Sequence, residues 1–141
     1  MIETVRAVLG IDVGTTAVKA MVVECSGKVL AVESVDQPMS LPGPGWTEQD
    51  PDMWWLSTQK AVSAVIDRVR RLTNNVEVCA VGLSGQMHSS VFLDKHGKVI
   101  RPALLWNDMR TTSQCTEITD KLGISGLMRT GGNLALEGFT A

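Results

Sequence analysis

The segment Asp12-x-Gly14-Thr15-Thr16-x-x-Lys19 places an acid, a glycine, two hydroxyls and a base between two apolar runs. A carboxylate at the end of a buried strand is costly unless something compensates its charge. A metal-bound phosphate would do so. Glycine lets backbone N–H groups approach phosphate oxygens closely, Thr15 and Thr16 add hydroxyl donors, and Lys19 adds a positive charge. Asp12 would then face Mg²⁺ through water, because this ion keeps much of its hydration and takes a few carboxylates together with phosphates. The same residues also suit a plain hairpin turn with an exposed acid and two capping threonines. Other nucleotide signatures fit badly: Gly10 and Gly14 are too close for G-x-x-x-x-G-K-[ST], and the chain has no G-x-G-x-x-G.

A second group of polar residues closes the segment Gly82-Leu83-Ser84-Gly85-Gln86-Met87-His88-Ser89. Ligands of open α/β sheets collect at the carboxyl ends of parallel strands, so this segment and Asp12 are expected to face one cleft. Gln86 and His88 suit hydroxyl recognition, since an amide and a neutral imidazole each both donate and accept. His88 would serve equally well as a core histidine held by backbone groups. Ser84 near His88 does not make a hydrolase, because G-L-S-G-Q lacks the second glycine position of the nucleophile elbow. His96 sits in a turn with no metal-ligand spacing.

These residues need elements to hold them. Val5–Val13 is a β-branched, nearly continuous apolar run, expected to be a strand buried on both faces. Ala17–Glu24 and Lys28–Val35 follow across short turns, giving an antiparallel three-strand meander. Pro38–Trp46 is a loop by its Pro and Gly content. Asp50 as N-cap and Pro51 at the first helical position open a helix. Trp54, Trp55, Thr58, Ala61, Val62, Val65, Val69 and Leu72 form its apolar stripe, and Asn74–Asn75 stops it. A strand over Glu77–Leu83 is next, then a hairpin from Ser90–Leu93 to Lys98–Ile100 and an apolar run over Ala103–Trp106. A second helix carries Cys115, Ile118 and Leu122 and stops at Gly123. The order predicts an α/β domain with a mixed sheet and a helical crossover to a parallel strand.

A net charge of −2 gives no electrostatic case for nucleic acid or an anionic membrane. No apolar run approaches the roughly 20 residues that span a bilayer. Cys25, Cys79 and Cys115 are dispersed and odd in number, which predicts a reducing compartment, the cytoplasm, over a disulfide framework.

With these motifs placed, the sequence resembles the carbohydrate kinases of the FGGY family. The matching segments are "GIDVGTTAVKA", "GWTEQDPDMWW", "GLSGQMH", "RPALLWNDMR" and "GNLALEGFTA", in order from about Gly10 to Ala141. The resemblance implies an actin-like ATPase (ribonuclease H-like) fold. Residues 1–141 would be the N-terminal part of the first of two actin-like domains, the second lying outside this chain. It implies ATP and Mg²⁺ as cofactors and a small sugar as substrate. The reaction would be phosphorylation of a ketopentose, D-xylulose at O5. Ribulose, fuculose, gluconate or glycerol are alternative substrates, and a non-catalytic actin-like binding module is an alternative class.

Residue by residue, the resemblance makes Asp12 the magnesium-associated acid and Gly14, Thr15, Thr16 and Lys19 the phosphate contacts. Met87 and His88 would touch the sugar, with Gln86 supporting them. Asn107, Asp108 and Arg110 fall beside the sugar site, either as contacts or as braces of the cleft wall that also cap the helix. Trp46, Trp54 and Trp55 would be packing residues, and Arg129 a further sugar-side candidate. No catalytic residue is expected within this segment, because the family's general-base aspartate comes after residue 141. The segment alone would be inactive. The resemblance allows a homodimer of the complete enzyme. Ser89 departs from the glycine that many relatives carry there.

Overall fold

The computed structural model of the chain describes residues 4–73 and 75–139. Asn74 in the expected helix stop lies outside the described residues, as do Thr140 and Ala141 of the last family segment. The elements in order are β1 (Val5–Val13), β2 (Ala17–Glu24), β3 (Val29–Asp36), β4 (Glu48–Gln49), α1 (Pro51–Leu72), β5 (Val76–Gly85), β6 (Ala103–Leu104) and α2 (Thr112–Gly131). They fall into two compact units, one of residues 1–38 and 52–86, the other of residues 39–51 and 87–141.

The first unit holds a four-stranded sheet in the order β3-β2-β1-β5. β1–β2 and β2–β3 are antiparallel, and β1–β5 is parallel across the α1 crossover. This is the expected mixed sheet. One face of it packs on α1: Ala7, Leu9, Val18, Ala20, Val22 and Ala31 meet Ala61, Val65 and Val69, all buried. Small residues on both sides let helix and sheet approach closely, and each fully buried valine contributes roughly 1.5–3 kcal/mol.

β1 is not buried on both faces, as its composition suggests. Its burial alternates, and Val8 is 39% exposed. Met21, Val32, Val81 and Leu83 are exposed too, so the apolar content of these strands exceeds what one helix covers. On α1 the fully buried residues of the apolar stripe are Ala61, Val65 and Val69, with Ser57 buried beside them and Val62 and Ile66 partly buried, while Trp55 and Leu72 are each 64% exposed. Trp55 is therefore no packing residue within the described chain.

β1 and β5 run in register from Val5↔Val76 to Val13↔Gly85, apart from one irregularity. Ala7 pairs with Val78 and Val8 with Ala80, which leaves Cys79 as the extra residue of a bulge. The Arg6 Nε–H donates to its sulfur at 3.3 Å. The three cysteines are free thiols.

The second unit contains a small sheet without a signal in the sequence, β4 paired antiparallel to β6 through Glu48↔Leu104 and Gln49↔Ala103. The hairpin expected after Ser90 is present in short form: Leu93 bridges Val99, and the Asp94 and Ile100 N–H groups donate to the Lys98 and Phe92 carbonyls, while Ser90 bridges Leu104 of β6. Its turn is closed by Asp94, whose Oδ1 accepts from the N–H groups of His96 and Lys98. α2 is interrupted at Gly123 (φ 66°, ψ 159°) as expected, but helix resumes beyond it and runs to Gly131. Gly132 then ends it in the left-handed conformation, its N–H donating to the Met128 carbonyl. Among the described residues no helix is long and apolar enough to cross a membrane.

Candidate functional site

In the first unit, Asp12 is the exposed penultimate residue of β1, just before a tight turn into β2. The Gly14 N–H donates to the Ala17 carbonyl at 3.1 Å, closing the turn. A Cβ on Gly14 would lie 2.9 Å from that same carbonyl oxygen, so only glycine allows the closure. Asp12 stands opposite Lys19 on β2 and opposite Ser84 on β5. Residues paired across a ladder share a face, and all three line one groove with Gly10, Met21 and Gly82. Thr15 is half-buried and Thr16 exposed. Ser84, set aside above as a nucleophile, is thus a neighbour of the acid. Only strand register reveals this, because residues 12 and 84 are far apart in sequence.

The donor set decides what could bind there. Among the described residues no three His, Cys, Asp or Glu side chains cluster for a metal. One exposed carboxylate beside a lysine and hydroxyls fits a cation that brings its own phosphate and water ligands. Asp12 would hold such a cation, with Thr15, Thr16 and Lys19 toward the phosphates.

In the second unit, His88 has φ 60°, alone among the described non-glycine residues in having a positive φ. Strained backbone of this kind concentrates at functional positions. Its ring lies 4.7 Å from that of Phe139, tilted by 48°. His88, Ser90, Phe92, Leu105, Asp108 and Phe139 line a cavity of about 290 Å³, at the small end of ligand pockets. Met87 is 56% exposed.

Asn107, Asp108 and Arg110 are tied to the chain around β4. Asp108 is 3% exposed. Its Oδ2 accepts from the Thr47 N–H and Arg110 Nη2, and its Oδ1 from the Arg110 N–H and Nε. Four donors fill the approximately four acceptor positions of a carboxylate. Arg110 also reaches Glu48 through Nη1 at 2.7 Å and lies over the Trp46 ring at 4.2 Å. Arg101 pairs with the same Glu48 carboxylate. The Asn107 Oδ1 accepts from the Thr47 hydroxyl. These bonds make Asp108 and Arg110 braces between two chain segments. They do not cap the helix: Thr111 is the N-cap of α2, without a side-chain cap bond. Arg129 lies in the last turn of α2. Glu48 and Phe139 are the residues that sequence reasoning missed. Glu48 is the acid of "GWTEQDP", but nothing local connects it to an arginine 62 positions later.

Burial by itself would raise the Asp108 carboxyl. Hydrogen bonds from Arg110 and Thr47 outweigh it and hold the group below the usual carboxylate value. Arg110 is raised in turn, chiefly by its bond to Asp108 and against burial, with Glu48 adding. A depressed carboxylate stabilises the fold above its unfolded pKa, about 3.9. That contribution is lost as pH falls through the lower folded value. Acid titration should therefore remove the hydrogen-exchange protection of the Thr47 amide only below about pH 4. Asp108→Asn should abolish this acid step, and an unchanged acid dependence in that variant would contradict it.

The mixed sheet with its β1–β2 hairpin and α1 crossover defines a domain of the actin-like ATPase fold. Comparison narrows the class: residues 7–141 match the N-terminal domain model of the FGGY family of carbohydrate kinases. The chain belongs to this family. It is 42% identical over 135 residues to the xylulose kinase of Klebsiella pneumoniae, covering 94% of this chain and 26% of that protein. The xyloylose kinase of Brucella ovis superimposes with a TM-score of 0.82 at 32% identity, covering 95% of this chain and 27% of that one. Plasmodium falciparum glycerol kinase with ADP gives a TM-score of 0.91 at 20% identity over 98% of this chain and 28% of the other, a likeness of fold. The chain spans about a quarter of the length of the curated relatives it matches.

Proposed function

We propose that this chain is the N-terminal part of the first actin-like domain of an ATP-dependent sugar kinase, with the second domain outside it. The observation that carries the phosphoryl-transfer reading is the cross-strand pairing of Asp12 with Lys19 at a turn only glycine can close. ATP would supply the γ-phosphoryl group and Mg²⁺ the charge that accompanies it. Catalysis of this type is mainly positioning and charge stabilisation. Asp12 would orient the metal's water shell. Thr16 and the backbone N–H groups of the turn would donate to phosphate oxygens, while the Thr15 hydroxyl, whose proton goes to Gln86, would line the turn. Lys19 would offset the phosphate charge.

Met87 and His88 would hold the sugar. The His88 imidazole, braced against Phe139, would exchange hydrogen bonds with a sugar hydroxyl. Asp108 and Arg110 would keep the wall behind it rigid. Xylulose kinases as relatives over most of the chain support D-xylulose, phosphorylated at O5, as the substrate. The proton of that hydroxyl needs a carboxylate base, which this reading assigns to an aspartate beyond residue 141.

The test is a coupled assay of the full-length protein with MgATP and a panel of ketopentoses, gluconate and glycerol. D-xylulose should give the highest kcat/KM, and His88→Ala should raise KM for the sugar. Preference for glycerol or gluconate would overturn the substrate. Nucleotide binding without turnover on any sugar would favour a binding module instead.

A further inference from the structure

Gln86 stands between the two motifs in sequence, and two of its bonds lead to the phosphate hairpin. Its backbone N–H donates to the Val13 carbonyl at 2.9 Å. Its side-chain Oε1 accepts from the Thr15 hydroxyl at 3.1 Å. The preceding residue shows how tightly the two segments are pressed together. A Cβ on Gly85 would lie 3.0 Å from the Val13 carbonyl oxygen and 3.5 Å from the Val13 Cβ. Glycine thus lets β5 run close beside β1, and Gln86 then hooks the turn that follows. Gly14 tightens the same turn from its other side.

The sequence suggests that Gln86 supports the sugar contacts Met87 and His88. The bonding points elsewhere. We infer that Gln86 is a positioning residue for the phosphate hairpin, fixing the Thr15 side chain so that the turn presents its donors in one arrangement. This deepens the kinase reading and rests on it. An amide suits the task, because it accepts the hydroxyl proton without adding a charge that would repel phosphate. The half-buried setting of Thr15 and Gln86 makes the bond electrostatically stronger than an exposed one would be.

The experiment uses the full-length kinase with Gln86→Leu, the isosteric Gln86→Met, Thr15→Val, Thr15→Ser and the Thr15→Val/Gln86→Leu double variant. Nucleotide affinity is measured by calorimetric titration with a non-hydrolysable MgATP analogue in the absence of sugar, and sugar affinity separately. Gln86→Leu and Gln86→Met should weaken nucleotide binding about five- to tenfold, the worth of one hydrogen bond. Sugar affinity should stay unchanged. The double variant should be no weaker than Thr15→Val alone, and Thr15→Ser, which keeps the hydroxyl, should lose less nucleotide affinity than Thr15→Val does. A rise in sugar Kd with nucleotide affinity intact would overturn the inference, as would additive losses in the double variant. Loss of folding in Gln86→Leu leaves the isosteric variant and the Thr15 pair to decide. Nucleotide binding by a wild type that phosphorylates no sugar would sink the kinase reading alone, since the titrations would still test Gln86. A wild type that binds no nucleotide would sink both.

Discussion

Asp12→Asn in the full-length protein should, on the proposed phosphoryl-transfer reading, lower kcat by about 10²- to 10³-fold, the cost of removing one preorganised electrostatic partner. Shape is nearly conserved by this change and the residue is exposed, so stability should move by less than about 0.5 kcal/mol. Sugar affinity should not change. Lys19, opposite Asp12 in the ladder, would still attract phosphate. Nucleotide binding should therefore weaken less than turnover does, and the loss should be greatest at low Mg²⁺ concentration. Steady-state kinetics across a Mg²⁺ series would check this. Full-speed turnover by the Asn variant would remove Asp12 from the mechanism.

Gly138→Ala should be the most damaging single change in the second unit. Gly138 has φ 67°, and a Cβ there would overlap the carbonyl of Trp106, a backbone group that cannot swing aside. The left-handed conformation costs an alanine about 1–2 kcal/mol, and forced overpacking adds about 1–3 kcal/mol. Gly138 and Phe139 both line the cavity that His88 faces. A shift large enough to admit the methyl group would therefore displace the Phe139 ring that packs against His88. The expected result is a lower unfolding midpoint together with, on the proposed reading, a raised KM for the sugar in the full-length protein. Gly131→Ala is the matched control: a Cβ there meets nothing within 4 Å and the backbone is helical. It should be neutral or slightly stabilising. Equal stability of the two variants would show that the close approach of Gly138 to Trp106 does not exist.

The two changes act on different levels of the same molecule, and they differ in how visible they are in sequence. Asp12 is visible as a candidate from its glycine and threonine neighbours. It is exposed, however, so the burial cost expected of a carboxylate there does not arise and a plain hairpin turn would tolerate it too. Gly138 sits in a glycine-rich tail without periodicity. Its importance comes from a backbone atom 32 positions away, and no local pattern encodes that.

Strand and helix limits near the N-terminus were legible for a related reason. β1, β2 and the start of α1 at Pro51 are governed by local chemistry: β-branching, a glycine turn, and proline at a first helical position. The parallel pairing of β1 with β5 followed from the crossover helix between them. Burial was less legible. The apolar residues of β1 and of the α1 stripe were real, yet Val8, Trp55 and Leu72 are exposed. Hydrophobic pattern tells which residues would accept a partner, not whether the described chain provides one.

From the sequence alone came the residue types of the site and the order of the elements, because turn chemistry, periodicity and motif spacing act between near neighbours. Tertiary structure alone decided how those residues are shared out. Gln86 joins Thr15, and Asp108 spends its four acceptor positions on Thr47 and Arg110. Glu48 holds two arginines, and Ser84 comes to lie beside Asp12. Apart from the bonds between Asp108 and Arg110, each of these contacts spans 53 residues or more. Strand register and buried charge balance set them, and both are properties of the packed chain and not of any segment within it.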